Sequence, residues 1–511
     1  MQKVVVGIQT LAKFRQNNYV YVDKTMWAYK LITEPAYYFL SRPRRFGKSL
    51  FVNILFEIYS GNKTLFEGTF IYDKIEWEEY PILQISFEKV TADAGDFETY
   101  LIKKLTECAE KYEITIPKNR IKDSAEALIV GLYKKYNKGV VILIDEYDKP
   151  LLDFINTPTE NDNRKIMRNF FECLKGLDAQ IHFVFITGIT KFSQVSLFST
   201  TNNLTDLTLN KEFSSICGYT KKELEDNFKP QFENIAKEIG FTYNEMMEET
   251  KLWYNGYSWR QEKVYNPFSI ACLLKNKDFK NYWFASGAPR FLIDILFKDF
   301  NYRLHQQRAF ETTLALGFGS ENINTTALMF QTGYLTITNY DNRSRIYTLD
   351  YPNKEVEESL QMFMLQTYTY NDSVEKIIVL QMYQSLLDGN IADFVSHTNQ
   401  LFAQIPEPIF IAKYEAFYHA IIYLSFSLVG ITARSEEHTN TGRMDMVIAL
   451  ENRIFIIEYK IADNANGAMA QIHVKKYYEK YLHTQKPITL LGIALGTTQR
   501  GIVDWITEAV Q

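Results

Sequence analysis

The tripeptide Gly47-Lys48-Ser49 lies between a short apolar run, residues 36–40, and a helical pattern that follows it directly. The order of strand, Gly-Lys-Ser loop and helix is typical of a phosphate-binding loop. Backbone N–H groups at the helix start cradle phosphates, the lysine reaches the outer phosphates, and the serine hydroxyl binds Mg²⁺. Arg42 replaces the first glycine of the usual loop. The tripeptide alone therefore also fits a basic turn before a surface helix.

An acidic pair at the end of a second apolar run supports the phosphate-binding interpretation. Residues 139–144 are continuously apolar after Gly139, as is typical of a parallel strand buried on both faces, and Asp145 and Glu146 follow them. The carboxyl ends of strands in an open α/β sheet face the ligand crevice. We therefore expect Asp145 to hold the Mg²⁺ shell and Glu146 to orient an attacking water, as in an ATPase. A strand followed by an acidic turn is the alternative, which the upstream loop disfavours.

A third apolar run ends in hydroxyl and ammonium groups that could sense a γ-phosphate, those of Thr187, Thr190 and Lys191. Together the three runs predict an ATP site with bound Mg²⁺. The residues expected to contact the nucleotide are Arg45, Phe46, Gly47, Lys48, Ser49, Leu50 and Thr187, and those expected to hold its metal are Ser49 and Asp145.

A predicted β-hairpin near the C-terminal end carries a second set of chemical groups. Segment 442–461 splits into two apolar-rich strands about a two-residue loop at 451–452, and this loop places Asp445 opposite Glu458. Because strand side chains alternate with period 2, Lys460 shares the face of Glu458. A four-residue loop with the same centre gives the same pairing, whereas a loop of odd length would break it.

These three side chains match the Asp, spacer, Glu-x-Lys pattern of PD-(D/E)xK nucleases. Two adjacent carboxylates repel each other unless a cation lies between them, and Mg²⁺ prefers such oxygen ligands; Mn²⁺ is an alternative here. A neighbouring lysine can then orient the attacking water and stabilise a pentavalent phosphate. A surface hairpin with a salt bridge is the alternative. The predicted ligands of this metal are Asp445 and Glu458, and Lys460 completes the predicted catalytic set of the hairpin.

Two predicted helices flank the hairpin. The upstream helix carries Glu415 and His419 four residues apart, hence on one face, where the nuclease fold places an extra acidic ligand. The downstream segment offers Gln471, Lys475 and Lys476 toward a phosphate backbone. We therefore add Glu415 to the predicted catalytic residues, beside Asp145 and Glu146 of the ATP site.

The length and composition indicate a multidomain globular protein. The chain has 511 residues, 46% of them hydrophobic and 23% charged, and a formal net charge of −5. The length is too great for one hydrophobic core, and the charge gives no basic signature over the whole chain, so a nucleic-acid surface must be local. Four scattered cysteines without metal-ligand spacing fit a reducing cytoplasm. We identify no convincing signal peptide and no stretch that spans a membrane.

The middle of the chain is predicted to be helical and then winged-helix-like. Thr220 and Glu223 form a capping-box pattern at the start of a helix, and the helical region to about residue 300 would pack as a lid on the nucleotide site, with Arg290 as a candidate lid arginine. The pattern of residues 324–353 predicts a helix followed by a hairpin. We favour a packing role for this unit over DNA binding, since basic residues are few there. The predicted domains are 1–215, 216–384 and 385–511.

Several segments resemble one known family. The sequences YVDKT at 21–25, RPRRFGKS at 42–49, IDEYDKP at 144–150, and TGITKF with NNLTDLTL are similar to those of AAA-ATPase-like proteins of the Bacteroidetes type. The resemblance implies a P-loop domain with an AAA- or STAND-like parallel sheet and a C-terminal α/β PD-(D/E)xK nuclease-like domain. It also implies that the arginine-rich loop is a family feature, so that Arg42 does not count against nucleotide binding.

Three functional hypotheses follow. The first is an ATP-regulated nuclease that acts on nucleic acid, most simply DNA, in defence against phage or mobile DNA. The second is a STAND-like signalling or scaffold ATPase whose C-terminal domain binds nucleic acid or protein without cleavage. The third is a nuclease whose P-loop domain binds nucleotide but hardly hydrolyses it. With each of them we expect a cytoplasmic protein that has no membrane partner. Each is also compatible with a homo-oligomer.

Overall fold

The chain forms two compact units in a computed structural model. The first unit comprises Met1–Gly287 and His305–Val356, and the second comprises Ala288–Leu304 and Glu357–Gln511. Within the described residues, no helix combines the length and the apolar character that a bilayer span requires. The structure describes residues 2–34, 36–90, 97–155, 157–191, 204–285, 304–315, 324–369, 376–405, 415–428, 433–439, 442–496 and 501–510.

A five-stranded parallel sheet forms the centre of the first unit, with the strand order β2-β3-β4-β1-β5. Every residue of β1 and β3 is buried, as continuous apolar runs predict for a sheet covered on both faces. Because β4 lies between β1 and β3, its carboxyl end lies between the loop after β1 and the acidic pair after β3. The strands are β1 Tyr37–Ser41, β2 Ile82–Ser86, β3 Val140–Asp145, β4 Ile181–Gly188 and β5 Leu204–Asp206.

Helices cover this sheet, and the connections from β1 to β2, from β2 to β3 and from β3 to β4 pass through them. They are α1 Leu11–Gln16, α2 Thr25–Thr33, α3 Lys48–Tyr59, α4 Phe97–Lys111, α5 Ile121–Tyr136, α6 Lys149–Leu152 and α7 Pro158–Gly176, with 3₁₀ turns at Lys63–Phe66, Asp178–Gln180 and Lys211–Phe213.

The predicted helical region follows the sheet along the chain. Its first helix begins with the predicted capping box, in which Thr220 and Glu223 bond each other's backbone N–H groups, and its third begins at the cap Asn266 with a proline in the first turn. A hydrophobic cluster that includes Leu224, Phe228 and Tyr254 holds these helices together. They are α8 Lys221–Ile239, α9 Tyr243–Tyr254, α10 Pro267–Asn276 and α11 Tyr282–Ala285. The candidate lid arginine, Arg290, lies outside the described residues.

A small antiparallel sheet completes the first unit. Its strand order is β6-β8-β7, and the order of helix followed by hairpin predicted for residues 324–353 is observed. The elements are β6 Gln307–Phe310, α12 Glu311–Ala315, α13 Thr325–Thr332, β7 Thr336–Asp341 and β8 Ile346–Asp350.

The second unit is built on another five-stranded sheet, with the order β13-β12-β11-β10-β9. Its strands are antiparallel except for the parallel pair β11 and β12. The strands are β9 Ala433–Thr439, β10 Gly442–Ala449, β11 Ile454–Ile461, β12 Ile488–Leu495 and β13 Ile502–Val510. The helices are α14 Lys354–Thr369, which begins in the first unit, α15 Lys376–Asp388, α16 Ile391–Ala403, α17 Glu415–Leu428 and α18 Asn466–Lys475, followed by a 3₁₀ segment Tyr477–Thr484.

The predicted α/β fold class is confirmed, with a parallel sheet, a helical middle region and a C-terminal sheet domain. The helix predicted downstream of the hairpin is interrupted. Lys476 has a φ of +49° and separates α18 from the 3₁₀ segment. The predicted domain limits at residues 215 and 384 stay predictions.

Candidate functional sites

The loop between β1 and α3 has the backbone of a phosphate-binding turn. Gly47 caps the start of α3 with a φ of +95°, in the left-handed region that favours glycine, and no atom lies within 4 Å of the place where a Cβ would stand. The helix start therefore presents free backbone N–H groups beside an open approach, the arrangement that binds anions. Arg45, also at positive φ, lies with its guanidinium 4.9 Å from the ring centre of Phe268.

Lys48 is held by the loop itself. Its buried Nζ donates to the carbonyl oxygens of Arg42 and Pro43, at 2.9 Å each. Burial lowers the pKa of this ammonium, and the nearby carboxylates of Glu146 and Asp145 oppose that effect. The lysine therefore lies between the loop and the acidic end of β3, as its predicted role requires.

Arg42 has a structural role that the sequence did not reveal. Its side chain is fully buried, and its guanidinium donates to the carbonyl oxygens of Ser41, Thr208 and Phe213 at 2.8–3.0 Å. It also stacks on Trp259, 4.1 Å from the ring centre. Burial lowers its pKa to about 10. The arginine that replaces the first glycine therefore ties the loop to neighbouring segments and does not face the phosphate-binding turn.

The acidic end of β3 meets the end of β4. Asp145 is buried, and its Oδ1 accepts a hydrogen bond of 2.5 Å from Thr187 Oγ1. Glu146 has a φ of +53°, an unusual backbone conformation for this residue type that is often found at functional sites. Burial raises the pKa of Glu146. The predicted residues Asp145, Glu146 and Thr187 thus lie together. The hydroxyl of Thr187, which was predicted to contact the nucleotide, donates to the carboxylate of Asp145.

Asp148 is a further buried carboxylate at this site, and the sequence analysis did not identify it. Its Oδ2 accepts hydrogen bonds from the backbone N–H groups of Ile189 and Thr190 and from Thr190 Oγ1, at 2.6–2.9 Å. Its Oδ1 has no hydrogen-bond partner in the described part of the chain, and burial raises its pKa. The sequence feature that could have identified Asp148 is its position three residues after Asp145, at the same end of β3. Thr190 contacts Asp148 here, and Lys191 pairs with Asp206, so their role in sensing a γ-phosphate stays a prediction.

A cavity of about 440 Å³ lies beside the loop, Glu146 and Asp148, a volume within the usual range for small-molecule sites. Its lining also includes apolar side chains, some of them from the N-terminal segment, that would suit a base. These apolar lining residues include Val4, Val5, Ile8, Phe14, Val22, Tyr219 and Phe268. The predicted contacts Arg45, Phe46, Gly47, Lys48, Ser49 and Leu50 all line the same cavity. These residues fit a nucleotide with Mg²⁺ at its phosphates.

The second candidate site lies on the β10–β11 hairpin of the second unit. Met446 pairs with Ile457 and Val447 with Ile456, which is the predicted register. Asp445 N donates to Glu458 Oε2 at 3.4 Å, and Lys460 Nζ lies 3.6 Å from Glu458 Oε1. The three predicted side chains therefore share one face of the hairpin.

Other side chains surround the two carboxylates. Glu458 is fully buried and accepts a hydrogen bond from Gln471 Nε2 of α18. Asp445 Oδ2 accepts a hydrogen bond of 2.9 Å from Tyr459 N, and His419 Nε2 lies 3.8 Å from the same oxygen. Gln471 thus contacts a carboxylate, where the sequence suggested a phosphate contact, and Lys476 pairs with Glu479.

The donor set of this second site fits a hard divalent cation. A fully buried carboxylate beside a second one is unfavourable unless positive charge compensates it, and Lys460 and a bound cation would both supply such charge. Carboxylate oxygens are the ligands that Mg²⁺ and Mn²⁺ prefer. Among the residues described, no group of three or more His, Cys, Asp or Glu side chains forms a metal cluster. Glu415 begins α17, and its side chain is outside the described part of the structure.

Comparisons with known proteins agree with this architecture. A family model described as "Predicted AAA-ATPase" matches residues 5–198, and one described as "PD-(D/E)XK nuclease superfamily" matches residues 413–505. The chain is also 36% identical, over 523 aligned positions, to a protein of Azotobacter chroococcum mcd 1 described as "Uncharacterized protein in vnfD 5'region". That alignment covers 100% of this chain and 99% of the relative.

Proposed function

Since the chain belongs to the family of predicted AAA-ATPases that carry a PD-(D/E)XK nuclease-superfamily domain, we propose that it is an ATP-regulated nuclease. ATP binding and hydrolysis at the first site would license metal-dependent hydrolysis of phosphodiester bonds at the second. The observation that carries the proposal is the hairpin face shared by Asp445, Glu458 and Lys460, in a chain that also has a phosphate-binding loop.

At the nucleotide site, each group has a task that matches its position. The N–H groups at the start of α3 and Lys48 would bind the phosphates, and Ser49 with Asp145 would hold the Mg²⁺ ion. Glu146 would orient the attacking water, and its raised pKa suits an acid–base group. Thr187 donates a hydrogen bond to Asp145, so a change in the metal coordination of Asp145 would alter a contact of β4.

At the hairpin site, the residues of the chain would position substrate and water. Asp445 and Glu458 would hold Mg²⁺ or Mn²⁺, which supplies Lewis acidity and lowers the pKa of a bound water. Lys460, about a third exposed, would orient that water and stabilise the developing charge on the phosphate. Gln471 would fix the orientation of Glu458 through their hydrogen bond. Glu415 is retained as a proposed additional acid.

We propose DNA as the substrate and defence against phage or mobile DNA as the role, by analogy of architecture. Strand cleavage that depends on nucleotide would keep such a nuclease inactive until it is needed. All four cysteines are free thiols, which fits a reducing compartment, so we propose the cytoplasm as its location.

Cleavage assays on variants of the full-length protein test the proposal. Lys460→Ala should lower the cleavage rate at least about 100-fold, because it removes charge stabilisation in the transition state. Lys48→Ala should leave the hairpin intact but abolish the effect of ATP on that rate. The measurement is cleavage of single- and double-stranded DNA and of RNA, with Mg²⁺ or Mn²⁺, in the presence and absence of ATP.

A matched lysine variant serves as the control. Lys138→Ala removes a lysine of the first unit that pairs with Glu78 at 3.0 Å, outside both candidate sites. It should behave as wild type. A wild-type protein that cuts no substrate under any condition would refute the nuclease assignment and favour the binding-only alternative. Cleavage by Lys48→Ala that still responds to ATP would refute the regulation.

A further inference from the structure

Three successive carbonyl groups of the phosphate-binding loop are held by donors. Lys48 Nζ donates to the carbonyl oxygens of Arg42 and Pro43, and the indole Nε1 of Trp283 donates to that of Arg44 at 3.0 Å. A lysine that moves to the outer phosphates must release its two carbonyls, so nucleotide binding changes the hydrogen bonding of this loop. Trp283 holds the next carbonyl along the chain and is therefore placed to respond to that change.

Trp283 joins the loop to a second buried group. The residue lies on the short helix α11 and is 5% exposed. Its backbone N–H donates to Glu355 Oε1 at 2.6 Å, and its ring lies against those of Tyr257 and Tyr334. One tryptophan thus donates its indole N–H to the nucleotide loop and its backbone N–H to a carboxylate from a different element.

Glu355 is the second residue of α14 and is fully buried. Its other oxygen accepts a hydrogen bond of 2.8 Å from Ser269 Oγ of α10. Burial raises the pKa of this carboxyl to about 7, and its hydrogen bonds from Trp283 and Ser269 act in the opposite direction. A buried carboxylate whose oxygens are bonded in this way is costly to displace, so the first turn of α14 should follow the position of Trp283.

The segment before α14 is also closely packed. Asn353 accepts a hydrogen bond from Val356 N and donates to the carbonyl oxygen of Asn255 at 2.9 Å. A Cβ on Gly256 would lie 1.8 Å from the carbonyl oxygen of Pro352, so only glycine permits this approach. The Asn255-Gly256 pair is therefore the place where the start of α14 packs.

Helix α14 runs from one unit of the chain into the other. Its first residues belong to the first unit, and its residues from Glu357 onward belong to the second unit, which contains Asp445 and Glu458. We propose that Trp283 and Glu355 are positioning residues that transmit the state of the nucleotide loop to the first turn of α14. This inference rests on the proposed ATP-regulated nuclease and names the route of its regulation.

Hydrogen exchange on the full-length protein tests the route without a nucleic-acid substrate. Mg²⁺ with a slowly hydrolysed ATP analogue, ATPγS, should change the amide exchange rates of residues 351–365 in the wild type by at least about threefold, because loss or gain of one hydrogen bond shifts such an equilibrium several-fold. Trp283→Phe keeps an aromatic ring but lacks the indole N–H. It should bind ATPγS within about threefold of wild type and should show no change in the exchange of residues 351–365.

Further variants distinguish loss of the proposed route from a general disturbance of the fold. Trp77→Phe removes another indole-to-carbonyl bond of 3.0 Å, to Tyr72 and outside this route, and it should respond as wild type. Glu355→Gln keeps an oxygen that can accept the hydrogen bond from Trp283 N and should retain the response. Glu355→Ala removes that acceptor and should lose the response.

The possible results distinguish this route from the proposed function. ATPγS binding without an exchange response in the wild type, or an intact response in Trp283→Phe, overturns the route and leaves the ATP-regulated nuclease standing. A wild type that shows the response but cleaves no nucleic acid supports the route and refutes the nuclease. Failure of the wild type to bind ATPγS overturns both.

Discussion

Arg42 replaces a glycine of the usual phosphate-binding loop, and its surroundings explain how the loop accommodates it. The guanidinium is buried among three carbonyl oxygens and the ring of Trp259. A guanidinium supplies several donors in a fixed plane, so a single side chain can satisfy acceptors from separate segments. Its position leaves the approach to Gly47 open.

Arg42→Gly would restore the usual glycine, yet we expect it to destabilise the protein. The variant leaves up to three buried carbonyl groups without their donor and opens a cavity beside Trp259, which together cost about 3–5 kcal/mol. Urea unfolding followed by circular dichroism measures the change. Binding of ATPγS should weaken and should not improve.

The exposed arginine of the same loop gives the matched comparison for this prediction. Arg45→Ala changes an exposed side chain of the same loop, so stability should stay within about 0.5 kcal/mol of wild type. Equal unfolding midpoints for Arg42→Gly and wild type would contradict the structural role of Arg42.

At the scale of elements, hairpin register decides whether the second site exists. Side chains of β10 and β11 alternate between the two faces, so Asp445 reaches Glu458 only with the observed pairing. The two-residue turn at 451–452 sets that pairing through the bond between Leu450 N and the carbonyl oxygen of Arg453. The turn therefore controls the geometry of two carboxylates several residues away.

Insertions in this turn test the dependence of metal binding on register. One glycine inserted between Glu451 and Asn452 shifts the pairing by one residue and moves one carboxylate to the other face, so Mn²⁺ affinity should fall at least about 10-fold. Two inserted glycines keep an even loop and the original pairing, and the affinity should stay within about threefold of wild type. Isothermal titration with Mn²⁺ alone measures both variants; equal affinities for them would contradict the register argument.

At the scale of the whole molecule, each compact unit has its own hydrophobic cluster and its own candidate site. One cluster includes Leu224 and Tyr254, and the other includes Val447 and Ile456. Units with separate cores commonly unfold in separate transitions. A ligand stabilises the unit that binds it according to its concentration and affinity.

Calorimetry of the full-length protein should therefore resolve two thermal transitions with different ligand responses. Mg²⁺ with ATPγS at about 100 times its Kd should stabilise mainly the first unit by about 2.7 kcal/mol, a shift of a few degrees, and Mn²⁺ should act mainly on the second. Lys48→Ala should lose the nucleotide shift and keep the Mn²⁺ shift. A single transition that both ligands move equally would contradict the assignment of the two ligands to different units.

The sequence by itself determined the features that depend on local order and periodicity. Continuous apolar runs predicted the buried strands β1 and β3, and the period of 2 along a strand predicted the hairpin register and the approach of Asp445 to Glu458. Capping patterns predicted the start of α8. Each of these features is encoded by residues that are close together in the sequence. Hydrogen bonding and side-chain direction within one helix or strand repeat every few residues, so a short segment is enough to predict them.

Only the tertiary structure decided which distant groups meet. Arg42 contacts Phe213, Thr187 bonds Asp145, and Trp283 reaches the carbonyl group of Arg44 across 239 positions of the chain. Such contacts follow from strand order, because β4 lies between β1 and β3, and from packing of the helical region on the loop. No periodic pattern encodes them, since each depends on how whole elements bury their apolar faces against one another.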